Sequence, residues 1–564
     1  MQTQIRPQST STILDEERYW SHIPRWADIS ADQFINWEWQ QTVSMQKVPR
    51  LLSEVLPDTL APSKSFPHIK TKEDFLREVE EGLKKAPMTV RLTPHLVSLI
   101  DWNSPLDDPL RRQFIPIRSG ILPDHPQLTF DSLGEQHDQV VPGLIHRYPG
   151  KALFLPISVC PVYCRFCTRS WAVGADTELR KKESQKPTLD RWEKVFQHIK
   201  NDTSLQDIVV SGGDAYQLPP ESIRMIGDRL LSIPHLRRFR FASKGLAVAP
   251  GRVLDRTDPW IDEIVALSNR GRQIGKQVCI HTHFNHPREI TWITHKAANY
   301  LFEQGVIVRN QSVLLKGIND DVKTMGTLIK ALGDMNIQPY YVYQCDLVRG
   351  IEDLRTPLRT ILELEKHIRG TFTGFMIPNF VVDLPGGGGK RLASTYEKYD
   401  EANGLSYWSA PGLPGKKGKE FYAYYDPYPD TQTIHARQQK LVAETIAHMY
   451  EQSPEHNDLV HSEDMEKEEM TSAPGCSAFA SALEKMDARE PFRRKRDESS
   501  DSLRAKTERV ELSQAHTKMR QELARNIESD MNTVPNEGEG RGPIEQIVNL
   551  STEVLEQQTA TRSL

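Results

Sequence analysis

Long apolar runs, an excess of one charge and a disulfide-type cysteine pattern are all missing from this sequence. No stretch of about 18 consecutive apolar residues occurs, so no membrane-spanning helix is expected. The 71 Lys and Arg residues nearly balance the 76 Asp and Glu residues, and a net charge of −5 argues against a nucleic-acid partner. Of only six cysteines, three fall in one eight-residue loop, which favours a reducing, cytoplasmic compartment over a disulfide framework.

Aromatic residues are nearly absent from the last part of the chain. After Tyr450 there is no Trp or Tyr, and Phe479 and Phe492 stand alone among blocks of charge. A segment of this composition cannot bury a core, so residues 451–564 are predicted to form a charged, mostly disordered tail. Residues 502–527 have a helix-forming composition, which leaves two interpretations open: a partner-binding helix or a solvated tail without a partner.

The N-terminal part divides into a short polar segment and a helical region. Residues 1–15 are rich in Ser and Thr, carry one arginine and lack the apolar core of a secretory signal. We expect them to be disordered, and their composition also fits a mitochondrial presequence. The aromatic cluster at 31–44 and the spacing of Phe75 and Val79 predict helices within an N-terminal helical region, residues 16–125.

Strands alternate with helices over the following part of the chain. The strand-like runs are 152–159, 207–211, 239–243, 277–282, 306–314, 338–344 and 375–382. The helical segments are 190–200, 220–233, 260–268, 291–304 and 321–335. This alternation predicts an α/β fold with a parallel sheet. Because the closed barrel has eight such units, we expect an open, partial (β/α)6 barrel over residues 126–400, covered by 401–450.

Three cysteines, Cys160, Cys164 and Cys167, follow the first strand-like run of this region at spacings of four and three. Three thiolates can hold three corners of a [4Fe–4S] cluster and leave the fourth iron open to a ligand. Two alternatives remain: a structural zinc site that lacks one ligand, or three unrelated cysteines. In a parallel sheet the loop would lie at the carboxyl ends of the strands, where active sites are found.

Two glycine-rich segments also follow strand-like runs. Gly212-Gly213-Asp214 is either an ordinary turn or a place where the backbone approaches a ligand and a carboxylate binds its ammonium group. The run of four glycines before Lys390 does not match a phosphate-binding loop, since Leu384 stands where a glycine is required. Lys390 is either a Schiff-base lysine or, as the segment alone favours, a solvated lysine in a surface loop.

A histidine cluster, His281, His283 and His286, lies at the end of another strand-like run. A metal site is conceivable, but a short extended segment does not readily bring three rings together, which favours polar lining of an active-site mouth. Cys279 and Cys345 fit buried small hydrophobic residues.

Together and in this order, these motifs resemble the lysine 2,3-aminomutase family. The resemblance covers about residues 25–430. The matching segments are 144–149, C-x3-C-x2-C-T-R, S-G-G-D, H-T-H-F-N-H-P, 310–315, 341–346 and D-x-P-G-G-G-G-K. The resemblance implies a partial (β/α)6 radical S-adenosylmethionine (SAM) barrel that binds a [4Fe–4S] cluster, SAM and pyridoxal 5′-phosphate (PLP). The implied reaction interconverts L-lysine and β-lysine, an isomerisation.

The resemblance also implies roles for individual residues. Lys390 is expected to be the catalytic PLP lysine and Cys160, Cys164 and Cys167 the cluster ligands. The expected cofactor-binding residues are Arg147 and Tyr148 for PLP, and Gly212, Gly213, Asp214, Gln311 and Ser312 for SAM. Arg169 is expected to bind the substrate carboxylate, and Asp346 and Asp383 its ε-ammonium group. The implied partners are a small amino-acid substrate and a reducing electron donor, in a homo-oligomer.

The sequence departs from the family pattern at several positions. Phe166 replaces a usual histidine, Ser170 interrupts a usual basic run, Lys151 replaces an arginine, and Cys476 stands alone where the bacterial enzyme has a cysteine-rich zinc segment. A buried ammonium needs opposite charge, so the acid pair favours lysine as substrate. The alternatives are glutamate, a protein-bound lysine, or a non-catalytic iron–sulfur protein of the same fold.

Overall fold

The computed structural model describes residues 18–44 and 48–428. The predictions for residues 1–15 and for the tail, including its helix at 502–527, lie outside the described residues. No helix within the described ranges is long and apolar enough to cross a membrane.

A ten-stranded sheet forms the centre of the molecule, with its strands side by side in chain order. The strands are β1 Gln139–Val141, β2 Leu144–Tyr148, β3 Lys151–Ile157, β4 Asp207–Gly212, β5 Arg238–Ala242, β6 Gln277–Thr282, β7 Ile307–Val313, β8 Gln338–Tyr343, β9 Asn379–Leu384 and β10 Gly389–Leu392. β3 to β9 run parallel, whereas β1, β2 and β10 pair antiparallel at the edges. Among the described strands β1 and β10 do not pair with each other, so the α/β sheet is mixed and does not close into a barrel.

Helices connect the parallel strands, as the sequence predicts. They are α7 Leu189–Asn201, α8 Pro220–Ser232, α9 Gly245–Val248, α10 Trp260–Gln273, α11 Trp292–Glu303, α12 Val322–Asp334 and α13 Leu358–Ile368. Side-chain caps begin several of them: Thr188 accepts a hydrogen bond from Arg191 N, and Asp321 accepts one from Thr324 N. Ile208 and Val210 share one face of β4, because side chains alternate along a strand, and both are fully buried against residues of α7 and α8. The five predicted helices of this region are confirmed.

In the described part of the chain before the sheet there are six α-helices. They are α1 Ala31–Ile35, α2 Trp37–Ser44, α3 Val48–Val55, α4 Lys72–Lys84, α5 Pro94–Leu99 and α6 Pro109–Phe114. The aromatic cluster at 31–44 forms two helices, because Asn36 is extended and its side chain accepts a hydrogen bond from Trp39 N at the start of α2. Trp20 and Phe34 stack with ring centroids 4.0 Å apart. The aromatic residues here are core.

The last predicted strand is misplaced at its beginning. Gly374–Met376 is a 3-10 helix and Phe375 is 72% exposed, so β9 starts only at Asn379. An apolar run alone does not distinguish a strand from an exposed turn. Beyond β10, a three-stranded antiparallel sheet of β11 Lys398–Asp400, β12 Leu405–Ser409 and β13 Phe421–Tyr425 packs its buried Trp408 and Tyr424 with residues of β9.

Candidate active site

A cavity of about 330 Å³ lies against one face of the parallel strands and reaches their carboxyl ends. Alternate residues of several strands line it, such as Val209 and Ser211 of β4 or Gln311 and Val313 of β7. Neighbouring residues point the other way because side chains alternate along a strand. The cavity therefore receives one residue set from each strand and the loops that follow the strand ends.

The cysteine loop follows β3 at one end of this cavity. Cys160, Cys164 and Cys167 all line the cavity, and none forms a disulfide. The loop is held by Arg165, whose guanidinium binds both carboxylate oxygens of Asp353 at 2.8 and 3.1 Å. Three free thiols in one cavity fit a metal cluster that needs three protein ligands.

Burial sets the protonation of these thiols. It raises the pKa of Cys160 well above its usual value and the pKa of Cys164 to about 12, and it also raises the pKa of Cys167. A buried thiolate needs a cation beside it, so the thiols are neutral by themselves and ionise on binding a metal. The donor set therefore fits an iron–sulfur cluster.

The glycines after β4 allow its end to approach the cysteine loop. Gly212 has φ +85°, and a Cβ there would lie 2.3 Å from Ile157 O. A Cβ on Gly213 would lie 2.5 Å from Val159 O, immediately before Cys160. Asp214 accepts hydrogen bonds from Tyr216 N at 2.8 Å and Lys244 N at 2.7 Å. The Gly-Gly-Asp segment therefore packs closely against the cysteine loop, and a side chain at either glycine would prevent this contact.

Gln311 and Ser312 point in opposite directions from β7. Gln311 lines the same cavity as the cysteine loop and the Gly-Gly-Asp segment. The Ser312 hydroxyl donates to Phe284 O at 2.6 Å and accepts from Asn310 Nδ2 at 3.0 Å, on the side away from the cavity. The structure therefore brings only one of the two predicted SAM contacts into the cavity.

Lys390 lies at the other end of the cavity, on β10 opposite Asp383 of β9. Lys390 Nζ lies 2.6 Å from Asp383 Oδ2, and the backbone N–H of Lys390 donates to the Tyr148 hydroxyl at 3.1 Å. Burial lowers the pKa of Lys390, but the charge and hydrogen bond of Asp383 together with Tyr343 and Tyr148 outweigh it, and the net shift is well upward. Lys390 is therefore a strand residue that faces the cavity, not a solvated lysine in a surface loop.

Two buried carboxyl groups meet beside Lys390. Oδ1 of Asp346 and Oδ1 of Asp383 are both buried, and neither has a hydrogen-bond partner among the described residues. Burial, followed by the charge of Asp383, raises the pKa of Asp346 well above its usual value. Two unsatisfied carboxyl oxygens in one cavity fit a ligand that carries a positive charge and several N–H donors.

A second ion pair borders the same cavity. Arg169, two residues after Cys167, donates to Glu135 Oε1 at 2.8 Å. Arg169 Nε and Glu135 Oε2 are buried without partners in the described part of the chain. Burial lowers the pKa of Arg169, but Glu135 together with Cys167 and Asp383 outweighs it and the net shift is upward, so the guanidinium stays charged. Glu135 lies in a loop before β1, and no sequence pattern marked it.

The segment around β2 adds a third group of charges. Arg147 Nε donates to Asp138 Oδ2 at 2.6 Å, and Lys417 contacts the other oxygen of Asp138. Lys151 Nζ lies 4.1 Å above the Tyr148 ring centroid. A Cβ on Gly389 would lie 2.7 Å from the Tyr148 hydroxyl, so only glycine fits there. Asp138 and Lys417 were not predicted, because they approach Arg147 only through the fold.

The three histidines do not come together. His281 and His283 line the cavity, and their rings lie 5.2 Å from Tyr340 and 5.8 Å from Phe166 between ring centroids. His286 instead accepts a hydrogen bond from Arg288 N, outside the cavity. Burial lowers the pKa of His281 to about 3 and that of His283 well below its usual value, so both rings are neutral at neutral pH. Cys279 and Cys345 are buried, as predicted.

An open α/β sheet, three thiols and a lysine–carboxylate pair around one cavity define a candidate active site in a protein of the α/β class. No family model matches the chain. The chain is 36% identical to the L-lysine 2,3-aminomutase of Clostridium subterminale over 64% of this chain and 79% of the relative. It is 34% identical to the enzyme of the same name from Fusobacterium nucleatum over 64% of this chain and 77% of the relative. The glutamate 2,3-aminomutase of Clostridioides difficile is 29% identical over 63% of this chain and 75% of that enzyme. The chain belongs to the lysine 2,3-aminomutase family and is an isomerase, as its motifs predict.

Proposed function

We propose that this protein is a radical SAM, PLP-dependent aminomutase that interconverts L-lysine and β-lysine. The observation that carries the proposal is that one cavity contains the three cysteines, Lys390 and the acid pair Asp346 and Asp383. Seven parallel strands in chain order, each with at least one residue in the cavity lining, support an open, partial (β/α)6 barrel as the finer description of the fold.

The residues present fit the cofactors that this reaction needs. The three cysteines offer three ligands to a [4Fe–4S] cluster, with Gly212 to Asp214 and Gln311 beside them for SAM. Lys390 offers an amine to PLP, and Arg147, Tyr148 and the glycines before Lys390 border the same space. When bound, the cluster and SAM supply hydrogen-atom abstraction, and PLP carries the migrating amino group. A reducing electron donor is required, and a homo-oligomer remains our prediction.

The acid pair is suited to the ε-ammonium group of lysine. Oδ1 of Asp346 and Oδ1 of Asp383 can accept N–H groups without breaking the Lys390 ion pair, because that pair uses Oδ2 of Asp383. An ammonium ion between the two acids would also lower the raised pKa of Asp346, since opposite charge favours the ionised carboxylate. Ligand charge and site charge are thus complementary.

Arg169 is suited to the other end of the substrate. Its guanidinium borders the cavity and has one buried nitrogen without a partner in the described residues. A carboxylate of the substrate would accept a hydrogen bond from this nitrogen. Binding at both ends holds the backbone carbons of a lysine at a set position between the two cofactor sites, which limits the hydrogens within reach.

Glutamate fits this cavity less well than lysine. Its side-chain carboxylate would face Asp346 and Asp383, and like charges in a buried site repel. The charge of the site therefore does not favour glutamate, named for the Clostridioides difficile relative, as the substrate of this chain. A protein-bound lysine lacks the free carboxylate that Arg169 is placed to receive.

The test is turnover by the full chain after anaerobic reconstitution with iron, sulfide, PLP, SAM and dithionite. L-lysine should be converted to β-lysine and L-glutamate should be left unchanged, with products separated by chromatography. Omission of SAM or PLP, each in turn, serves as the control and should stop turnover. Conversion of glutamate but not lysine would overturn the substrate assignment, and a fully loaded protein that converts neither would overturn the proposed activity.

A further inference from the structure

A second cluster of ligating side chains lies outside the cavity. His146 on β2, His198 on α7 and Asp202 at the end of α7 place one ligand atom each within 4.8 Å of one another. His146 does not line the cavity, whereas its neighbours on β2, Ile145 and Arg147, do. The cluster thus lies on the opposite face of β2 and is separate from the three cysteines.

The end of α7 brings two of these side chains to one side. Asp202 N donates to His198 O at 3.0 Å, and residues four apart in a helix lie on the same face. Asp202 Oδ1 is held by Ser204, from its backbone N–H at 3.1 Å and its hydroxyl at 2.6 Å. The Ser204 hydroxyl also lies 2.9 Å from Pro149 O, in the turn between β2 and β3. Ser204 therefore orients the carboxylate.

Among the described residues, no hydrogen bond uses Asp202 Oδ2, His146 Nδ1 or His198 Nε2. Asp202 Oδ2 lies 3.6 Å from His146 Nδ1, which is too long for a hydrogen bond. His198 Nε2 is buried and has no hydrogen-bond partner among the described residues. The two imidazole rings meet edge to face, with centroids 6.1 Å apart. A buried ring nitrogen without a partner points to a ligand that the protein itself does not supply.

We propose that His146, His198 and Asp202 bind a divalent transition-metal ion of the zinc class, with solvent as the remaining ligand. Two imidazole nitrogens and one carboxylate oxygen are a preferred ligand set for this class. Zinc bonds of about 2.0–2.2 Å separate tetrahedral ligands by about 3.3 Å, so side-chain shifts of roughly 1 Å close the site. Ser204 is the outer partner that orients the carboxylate.

The position of the site gives it a structural role. It joins β2 to the end of α7, and β2 carries Arg147 and Tyr148 into the catalytic cavity. The His146 and Asp202 side chains are 15% and 31% exposed, so an ion can enter from solvent. The ion would clamp the outer face of the strand whose inner face lines the active site.

Cobalt(II) is the probe, because a four-coordinate cobalt site shows visible d–d absorbance. The full chain is loaded with iron, sulfide and PLP, passed over a chelating resin under anaerobic conditions, and titrated with Co²⁺ and then with Zn²⁺. We expect one cobalt per chain, displaced by zinc. His198→Gln and Asp202→Asn should abolish the absorbance, and Ser204→Ala should weaken binding by about 10–100-fold.

The matched control is His367→Gln. His367 lies 3.4 Å from Glu363, a histidine–carboxylate pair in which no second histidine takes part, and its loss should leave cobalt binding unchanged. Residual cysteine thiols would instead give a sulfur-to-cobalt charge-transfer band that persists in His198→Gln. Wild-type protein that binds no more cobalt than His198→Gln and Asp202→Asn would overturn the proposal. The readout does not involve lysine turnover and is independent of the proposed activity.

Discussion

The two ends of the cavity differ in the interactions that hold their residues in place. At the cysteine end, backbone contacts set the geometry: glycines close against the neighbouring strand, Asp214 accepts two backbone N–H groups, and the thiols are uncharged. At the lysine end, charged side chains are paired with each other. These pairs are Lys390 with Asp383 and Arg147 with Asp138, whereas the Arg169–Glu135 pair lies by the cysteine loop, two residues after Cys167.

The difference indicates what each end receives. Neutral thiols can be buried without a metal at little cost in folding free energy. They ionise only when a bound cluster compensates their charge. Buried ion pairs have a desolvation cost that is offset only by good geometry and full hydrogen bonding, yet Asp346 and Asp383 keep one unsatisfied oxygen each. The cysteine end is therefore suited to a cationic cluster, and the lysine end to a zwitterion with an additional ammonium group.

Removing one thiol should give the largest difference in effect between the two ends of the cavity. Cys164→Ala should reduce iron content and lysine turnover to background, because two thiols cannot hold the cluster, while PLP absorbance is retained. Cys279→Ala is the matched control, since this buried cysteine does not line the cavity and should leave iron unchanged. Iron and sulfide analysis with visible spectroscopy measures both outcomes. Full iron content in Cys164→Ala would contradict the assignment of the loop.

Lys390→Ala should produce the opposite pattern. PLP absorbance and turnover should be lost while iron content is retained. The free energy of unfolding should fall by on the order of 3 kcal/mol, because Asp383 loses its partner in a buried site. Lys390→Arg is the control: it should recover most of the stability but none of the PLP absorbance. An unchanged PLP spectrum in Lys390→Ala would show that another residue binds this cofactor.

Asp346→Asn tests the acid pair without touching either cofactor site. We expect kcat/KM for lysine to fall about 100-fold, equivalent to about 2.7 kcal/mol, because a buried ammonium loses one of its two counter-charges. Iron and PLP content should stay unchanged. Asp334→Asn, which breaks an exposed ion pair with Lys330, is the control and should leave kcat/KM intact. Equal activity of Asp346→Asn and the wild type would remove the basis for lysine specificity.

His281 lines the cavity, and its titration should make the stability of the protein depend on pH. Its pKa is lowered to about 3 by burial, so from the ordinary value of about 6.5 down to about 3 the unfolded chain binds more protons. Stability therefore falls as the pH falls through this window, by up to about 1.4 kcal/mol per pH unit. His281→Gln should flatten the curve from urea unfolding between pH 6.5 and pH 4. His367→Gln, an exposed control, should leave the slope unchanged; a flattening of equal size in both variants would refute the assignment.

The smallest effect is expected at Ser312. Ser312→Ala removes hydrogen bonds to Phe284 O and Asn310, so stability should fall by about 1 kcal/mol while the KM for SAM is unchanged. Gln311→Ala, one residue earlier on the cavity side, should raise the KM for SAM with little effect on stability. A raised KM for SAM in Ser312→Ala, without loss of stability, would restore its predicted contact with this cofactor.

Local pattern was sufficient for the parallel part of the fold. The runs at 207–211 and 277–282 correspond to β4 and β6, because short apolar runs rich in β-branched residues favour strands. The antiparallel additions β1, β2, β10 and β11 to β13 were not predicted. They are short and carry polar residues, and their place depends on which edge they join.

The cysteine motif and the glycines of β4 were readable from spacing alone, since three cluster ligands and a close backbone contact need particular residues near each other in the chain. What brought Glu135 to Arg169, Asp138 to Arg147 and Asp346 to Asp383 was tertiary structure, because these residues lie on separate strands and loops. The direction of Ser312 was also decided there, since strand register determines which side chains face the cavity. The sequence by itself thus determined the order of elements and the cysteine loop. The charged groups around Lys390 come close to one another only when the sheet assembles.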